Sequence, residues 1–172
     1  MHVLGLMSGT SADGVDAVLV KFDGNLKNPN WKLLNTYYKK YPKGLKQSII
    51  LAGQNYKLSA KEWMEIAESI TKIYAVAAGC CDPEKKASLA GCHGQTFWHR
   101  SRTTHLLGGS LQLLQAPLLA HLIGRAVVFD FRAADIALGG EGAPLLPLLD
   151  EALLGRSIGW RSVLNLGGLS NL

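Results

Sequence analysis

A chain of 172 residues is about one domain's worth at roughly 150 residues per domain, long enough to bury a core of its own. Its 48% hydrophobic and 18% charged residues exclude a disordered or fibrous chain. The net charge of +5 is scattered, with all twelve lysines at or before Lys86 and all six arginines at or after Arg100. That scatter argues against the clustered basic face of a nucleic-acid reader, although the mild excess would help to draw in an anionic ligand.

Taken in chain order, residues 2–7 (HVLGLM) and 15–22 (VDAVLVKF) read as strands, joined by a segment that holds the hairpin dipeptide Asp13-Gly14. A third strand is expected within residues 31–41, after a polar turn around Gly24, Asn25, Asn28 and Pro29, giving the sheet an antiparallel start. A short helix over 44–53 follows, then a longer one over 59–79. The longer helix has Ser59 as N-cap, Glu62 completing a capping box and Gly79 as its stop. Trp63, Ile66, Ala67, Ile70, Ile73, Tyr74 and Ala77 recur at helical spacing, so one face of it is core.

Residues 87–94 (ASLAGCHG) read as a buried strand ending in a polar turn. The apolar run 106–129 carries one charge, but Gly108, Gly109, Gln112, Gln115, Pro117, His121 and Arg125 interrupt it too often for a membrane span. It divides into strand, helix over 116–123, and strand over 125–130. A helical turn is expected to begin near Ala133, then a loop over 138–147, a helix over 148–155 and a last strand over 161–168. Strands alternating with helices indicate an α/β sheet with helical cover. The apolar residues of the last strand lack an expected partner, because after the glycine turn and its polar residues only Leu172 follows, which suggests a fragment of a longer protein. Three cysteines, Cys80, Cys81 and Cys92, suit neither a disulfide framework nor zinc spacing and read as reduced or buried thiols. No basic segment precedes the first apolar stretch, so it does not read as a secretory signal.

Four segments can carry chemistry. The first loop, SGTSADGVD (8–16), offers backbone N–H groups made approachable by Gly9 and Gly14, and hydroxyls on Ser8, Thr10 and Ser11, all suited to phosphate oxygens. Asp13 and Asp16 are hard oxygen donors that could hold magnesium, directly or through water. A plain hairpin whose polar residues only solve the turn geometry accounts for this segment almost as well. The second, GCHGQTFWHR (91–100), sets His93, Gln95 and His99 around a turn, with structural roles favoured for the histidines, while Phe97 and Trp98 could line a sugar or belong to the core. The third, VVFDFRAAD (127–135), ends a strand on Asp130, Arg132 and Asp135, where ligands sit in open α/β sheets. Arg132 could grip a carboxylate at two points, or pair internally with Asp130. The fourth, NLGGLSN (165–171), repeats the strand, glycine and polar turn of the first. Gly140-x-Gly142 is too short and misplaced for a dinucleotide fingerprint, and neither G-x-S-x-G nor H-E-x-x-H occurs.

Together and in this order, GLMSGTSADGVD, GCHGQTFWHR, VVFDFRAADIALGGEGAP and NLGGLSN closely resemble the anhydro-N-acetylmuramic acid kinase family through nearly the whole chain. The resemblance places the chain in the superfamily of sugar kinases, actin and heat-shock chaperone ATPases. It implies a ribonuclease H-like mixed α/β sheet with antiparallel N-terminal strands and flanking helices, with residues 1–172 as the first lobe of a two-lobe kinase. The implied reaction is ATP-dependent hydrolytic opening of the 1,6-anhydro ring of anhydro-N-acetylmuramic acid and phosphorylation at the 6-position, in cytoplasmic peptidoglycan recycling.

By position, Gly9, Thr10, Ser11, Ala12, Asp13, Gly14, Val15 and Asp16 would bind ATP phosphates. Asp13 would face Mg2+ through water, and Gln95, Arg132 and Asp135 would lie on the sugar side. The family's base is an Asp in an FDxGPGN-like segment that lies beyond Leu172, so residues 1–172 are expected to bind without turning over and to hold no catalytic base of their own. No nucleic-acid or membrane partner is expected, and a homodimer stays open. Leu114 and Gln115 stand where the family often has Gly-Asn, and Glu141 where it commonly has Gln. A kinase of another sugar in the same superfamily, or a non-catalytic nucleotide-binding module, are the alternatives.

Overall fold

In the computed structural model, residues 1–25, 28–54, 56–155, 158–166 and 170–171 are described. The first three strands are β1 (His2–Ser8), β2 (Gly14–Asn25) and β3 (Asn28–Lys40), paired antiparallel in sequence order as expected. Alternation in β1 and β2 turns Leu4, Leu6, Val15, Ala17 and Leu19 onto one buried face. The other face of the sheet, carrying Met7, Trp31, Leu33 and Tyr38, is exposed.

Two helices, α1 (Lys43–Gly53) and α2 (Ala60–Cys81), carry the chain across that buried face to β4 (Leu89–Arg100), which pairs parallel with β1. Parallel pairing requires such a crossover. The Ser59–Glu62 capping box forms as expected: the Ser59 N–H donates to the Glu62 carboxylate, and the Glu62 N–H donates to Ser59 Oγ. The α2 stripe Ile66, Ile70, Tyr74 and Ala77 is buried against β1, β2 and β4.

Gly79 does not stop α2, which runs on to Cys81. The helix ends where Pro83 follows Asp82, because a residue ahead of proline is driven out of the helical region. The Asp82 carboxylate then accepts the N–H groups of Lys86 and Ala87, both at 2.8 Å, and turns the chain into β4.

Strand β4 is longer than its sequence suggests and runs straight through the expected polar turn. Its first half, Leu89–Cys92, pairs parallel with β6 (Ala126–Phe129), and residues 95–100 pair antiparallel with β5 (Gly109–Leu113). Between β5 and β6 lies α3 (Ala116–Ile123), ending on Gly124 at φ 64°, so the apolar run divides as strand, helix and strand. The six-stranded sheet, with three antiparallel strands and then β4 and β6 parallel to β1, has the expected ribonuclease H-like order, and α1 to α3 pack on its buried face.

Beyond it come α4 (Ala133–Ala137) and α5 (Pro147–Leu154). Among the described residues of the strand expected over 161–168, residues 161–164 are not in a strand and Asn165–Leu166 (β7) is. It also has a partner, contrary to expectation, because it pairs antiparallel with Ser170–Asn171 (β8). The glycines of that motif, Gly167 and Gly168, lie outside the described residues, and so does Leu172, the residue beyond which the catalytic base is expected.

The Asp82 bonds are charge-assisted and buried, so Asp82→Ala is expected to lower unfolding stability in urea by about 2 kcal/mol. Glu84→Ala, two residues on and exposed, is expected to change it by less than about 0.5 kcal/mol.

Candidate functional site

The first loop joins β1 to β2 at the carboxyl end of β1, beside the middle of β4. Its turn differs from the expected Asp-Gly hairpin. The left-handed residue is Ala12, at φ 50°, while Gly14 already lies in β2. A Cβ on Gly14 would collide with the Lys39 carbonyl oxygen and come within 2.8 Å of the Tyr38 ring, so this glycine serves strand packing. Gly9 is exposed, and a Cβ there would meet nothing closer than Ser11 Oγ at 3.8 Å.

Thr10, Ser11 and Asp13 face solvent, whereas Ala12 and Val15 send their side chains into the core. Asp16 is exposed on β2, opposite Met7 and Tyr38. Ser8, counted from sequence among the hydroxyls offered to a ligand, is turned inward and donates to Gln95 Oε1 at 2.6 Å. Tyr41 Oη donates to Ser8 Oγ at 3.2 Å, and burial pushes the Tyr41 phenol up to about 12. The Asp13 carboxylate pairs with Lys46 from α1. That ammonium, helped by the Ser11 hydroxyl, holds the carboxyl below its usual range.

Gln95 is fully buried, at 0% exposure. Its Nε2 donates to the Gly9 carbonyl at 3.1 Å and to that of Thr96 at 3.3 Å. Tyr41 and Lys46 lie far from the loop in sequence, and nothing in their local pattern marks them. They reach it only because β3 leads straight into α1.

A second cluster lies at the carboxyl end of β6 and next to the first along β4. Asp130 is left-handed at φ 53°, which is rare for a residue other than glycine, and its Oδ1 is buried with no partner among the described residues. Arg132 donates through Nη1 to the Gly142 carbonyl at 2.6 Å, and Nη2 lies 3.1 Å from His93 Nε2. Its Nε is buried and unpartnered among the described residues, so the two-point grip expected of Arg132 has only that edge of the guanidinium to use. His93 Nδ1 lies 2.9 Å from the Gly94 carbonyl, a contact only a protonated Nδ1 can make, so Nε2 accepts from Arg132. Burial holds the His93 pKa below its usual value. Asp135 Oδ2 accepts the Gly142 N–H at 2.7 Å and shapes the loop over 139–142.

The structure thus brings Gln95 to the first loop, and Arg132 and Asp135 to one another through Gly142; His93 and Gln95, two residues apart on β4, link the groups. His99 stands farther along β4 with Nδ1 buried and unpartnered among the described residues. Phe97 joins the core edge-on to Trp63, with ring centres 5.1 Å apart, while Trp98 is exposed. Glu141 accepts the Arg102 N–H at 2.9 Å, a bond glutamine could also accept. Leu114 is core, and Gln115 at the start of α3 makes no side-chain cap; its N–H donates instead to Thr71 Oγ1 at 3.0 Å.

Among the described residues no three carboxylate, histidine or cysteine groups converge on a metal position. Among the described residues no helix is long and apolar enough to cross a membrane.

A ribonuclease H-like mixed α/β sheet with a glycine- and hydroxyl-rich hairpin at the end of its first strand, and an Asp–Arg–His cluster beside it, defines the class. The chain belongs to the anhydro-N-acetylmuramic acid kinase family, whose model matches residues 1–172. It is 60% identical over 172 residues to an anhydro-N-acetylmuramic acid kinase of Prochlorococcus marinus (strain MIT 9303), and 58% identical to one of Synechococcus sp. (strain CC9605). In both matches all of this chain aligns with 45% of the relative, so it spans under half the length of those curated relatives. A Thermus thermophilus RuvC structure covers 94% of the chain, and 85% of that protein, with TM-score 0.42 and 14% identity, too slight a likeness to bear on function.

His93 is held neutral, so its folded-state pKa lies below that of the unfolded chain. Its contribution to stability is complete above the ordinary value of 6.5 and is lost as the pH falls below it. The unfolding midpoint is expected to drop between about pH 7.5 and 5.5, and less so in His93→Gln, whose amide oxygen can still accept from Arg132.

Proposed function

We propose that these residues form the nucleotide- and sugar-binding lobe of a cytoplasmic kinase. That kinase opens the 1,6-anhydro ring of anhydro-N-acetylmuramic acid and phosphorylates its 6-oxygen with ATP in peptidoglycan recycling. The observation that carries this reading is the exposed face of the loop over residues 9–13, fastened from behind by Gln95 and Tyr41 in a chain of this family. Phosphoryl transfer depends on positioning and electrostatics more than on covalent help from the protein, and a loop held from behind supplies both.

In the reaction, water adds to C1, the C1–O6 bond breaks, and O6 takes the γ-phosphoryl group. The proton from water goes to a general base, and ADP leaves as the bond from its β-phosphate oxygen to the γ-phosphorus breaks. Within Gly9 to Asp16, the Thr10 N–H and the Thr10 and Ser11 hydroxyls would face the phosphates. Magnesium, bound with the nucleotide, would neutralise phosphate charge, and Asp13 would meet it through water once released from Lys46. Arg132 and Asp135 would lie on the sugar side, while Gln95, enclosed behind the loop, would support it without reaching the sugar. Among the described residues the buried Arg132 Nε and Asp130 Oδ1 have no partner, which leaves a donor and an acceptor there to be met.

Isothermal titration of the 172-residue chain is expected to show Mg·ATP binding that weakens several-fold in Asp13→Ala, with no ADP release when anhydro-N-acetylmuramic acid is added. A protein of the relatives' length carrying these residues is expected to release ADP with the anhydro sugar and not with glucose. Absence of nucleotide binding, turnover by residues 1–172 alone, or equal turnover of glucose would each overturn the reading.

A further inference from the structure

We infer that Gln95 is a positioning residue, which acts on the nucleotide by locking the Gly9–Thr10 peptide so that the Thr10 N–H points out of the loop. The inference rests on the phosphate-loop reading above. It gives Gln95 a role behind the loop, with no contact to either ligand.

The register between β1 and β4 creates the arrangement. Leu6 pairs with Cys92, but Ser8 pairs with Gln95, so β4 has one extra residue at this point. Gly94, at φ 77°, takes up the bulge. The bulge directs Gln95 beneath the loop, where its side chain is completely enclosed. Its Oε1 is anchored by Ser8 Oγ, itself held by Tyr41 Oη, and this fixes which end of the amide faces Gly9.

The Gly9 carbonyl consequently accepts two bonds, one from Gln95 Nε2 and one from the Ala12 N–H, each at 3.1 Å. Both lone pairs of that oxygen point inward. In a trans peptide the N–H is antiparallel to the C=O, so an inward Gly9 carbonyl sends the Thr10 N–H outward. Among the described residues no acceptor takes that N–H. The peptide next to a glycine would otherwise flip readily, because glycine has no Cβ to bias its dihedrals. On the far side of the loop, the Tyr41 N–H donates to the Asp13 carbonyl at 3.0 Å, so the loop is pinned at both ends.

The substitution that isolates this role is Gln95→Glu, which keeps the shape and the acceptor for Ser8 Oγ but replaces the donor to Gly9 with a carboxylate oxygen. Two-dimensional amide spectra of the 172-residue chain would follow the Thr10 resonance as Mg·ATP, or inorganic tripolyphosphate with magnesium, is added. In the unmodified chain the Thr10 amide is expected to shift with either probe. In Gln95→Glu the shift is lost and Mg·ATP affinity falls about tenfold, the equivalent of one good hydrogen bond. Ser8→Ala, which loosens Gln95 and leaves its bond to Gly9, gives a smaller loss of about threefold and serves as the readout if Gln95→Glu does not fold. A lower unfolding midpoint with unchanged affinity and an unchanged Thr10 shift in the folded variant would overturn the inference and leave the phosphate loop standing. No Thr10 shift in the unmodified chain with either probe would overturn both.

Discussion

The parallel pairing of β1 with β4 is the constraint on which the site depends. Two parallel neighbours cannot be joined by a tight turn, so the chain between them must cross a face of the sheet, and α1 and α2 make that crossing. The pairing sets the carboxyl end of β1, where the loop begins, against the middle of β4. Without it Ser8 and Gln95, 87 positions apart, would have no reason to meet. The core under them is continuous with the α2 stripe, so helix packing and loop geometry are parts of one structure.

The site is built from opposites placed back to back. The inner side of the loop is fully bonded through Ser8, Gln95 and Tyr41, while its outer side presents Thr10, Ser11 and Asp13 to solvent. A saturated inner side gives rigidity, and an unsaturated outer side gives binding capacity. The neighbouring cluster is less settled: among the described residues, Asp130 combines a left-handed backbone with an unpartnered buried oxygen, and Arg132 has an unpartnered Nε. Strain and unmet hydrogen bonds gather where function is expected, and this cluster shares β4 with the loop.

Departures from the family's pattern are absorbed locally. Glu141 uses a carboxylate oxygen where an amide oxygen would serve equally, and Gln115 gives up a helix cap that Thr71 partly replaces by taking its N–H. Among the described residues neither forms a hydrogen bond with the loop over 9–13.

Period and punctuation made much of the fold legible in the sequence. The three antiparallel strands, the Ser59–Glu62 capping box, the helical stripe on α2 and the helix over 116–123 all follow from patterns within a dozen residues. The loop was legible as a candidate too, because its glycines and hydroxyls sit side by side. Long-range partners were not legible. Gly79 looked like a helix stop because glycine usually is one, yet Asp82 and Pro83 decided the end. His93, Gly94 and Gln95 looked like a turn, but pairing of Cys92 with Leu6 and of Gln95 with Ser8 and Leu113 carries the strand past them, with a bulge at Gly94. Residue types and local spacing are properties of the chain itself, so the sequence alone determined what chemistry was on offer. Which face of Gln95 meets Gly9, and which hydroxyl of the loop turns inward, depends on register between distant strands, and only the tertiary structure decided it.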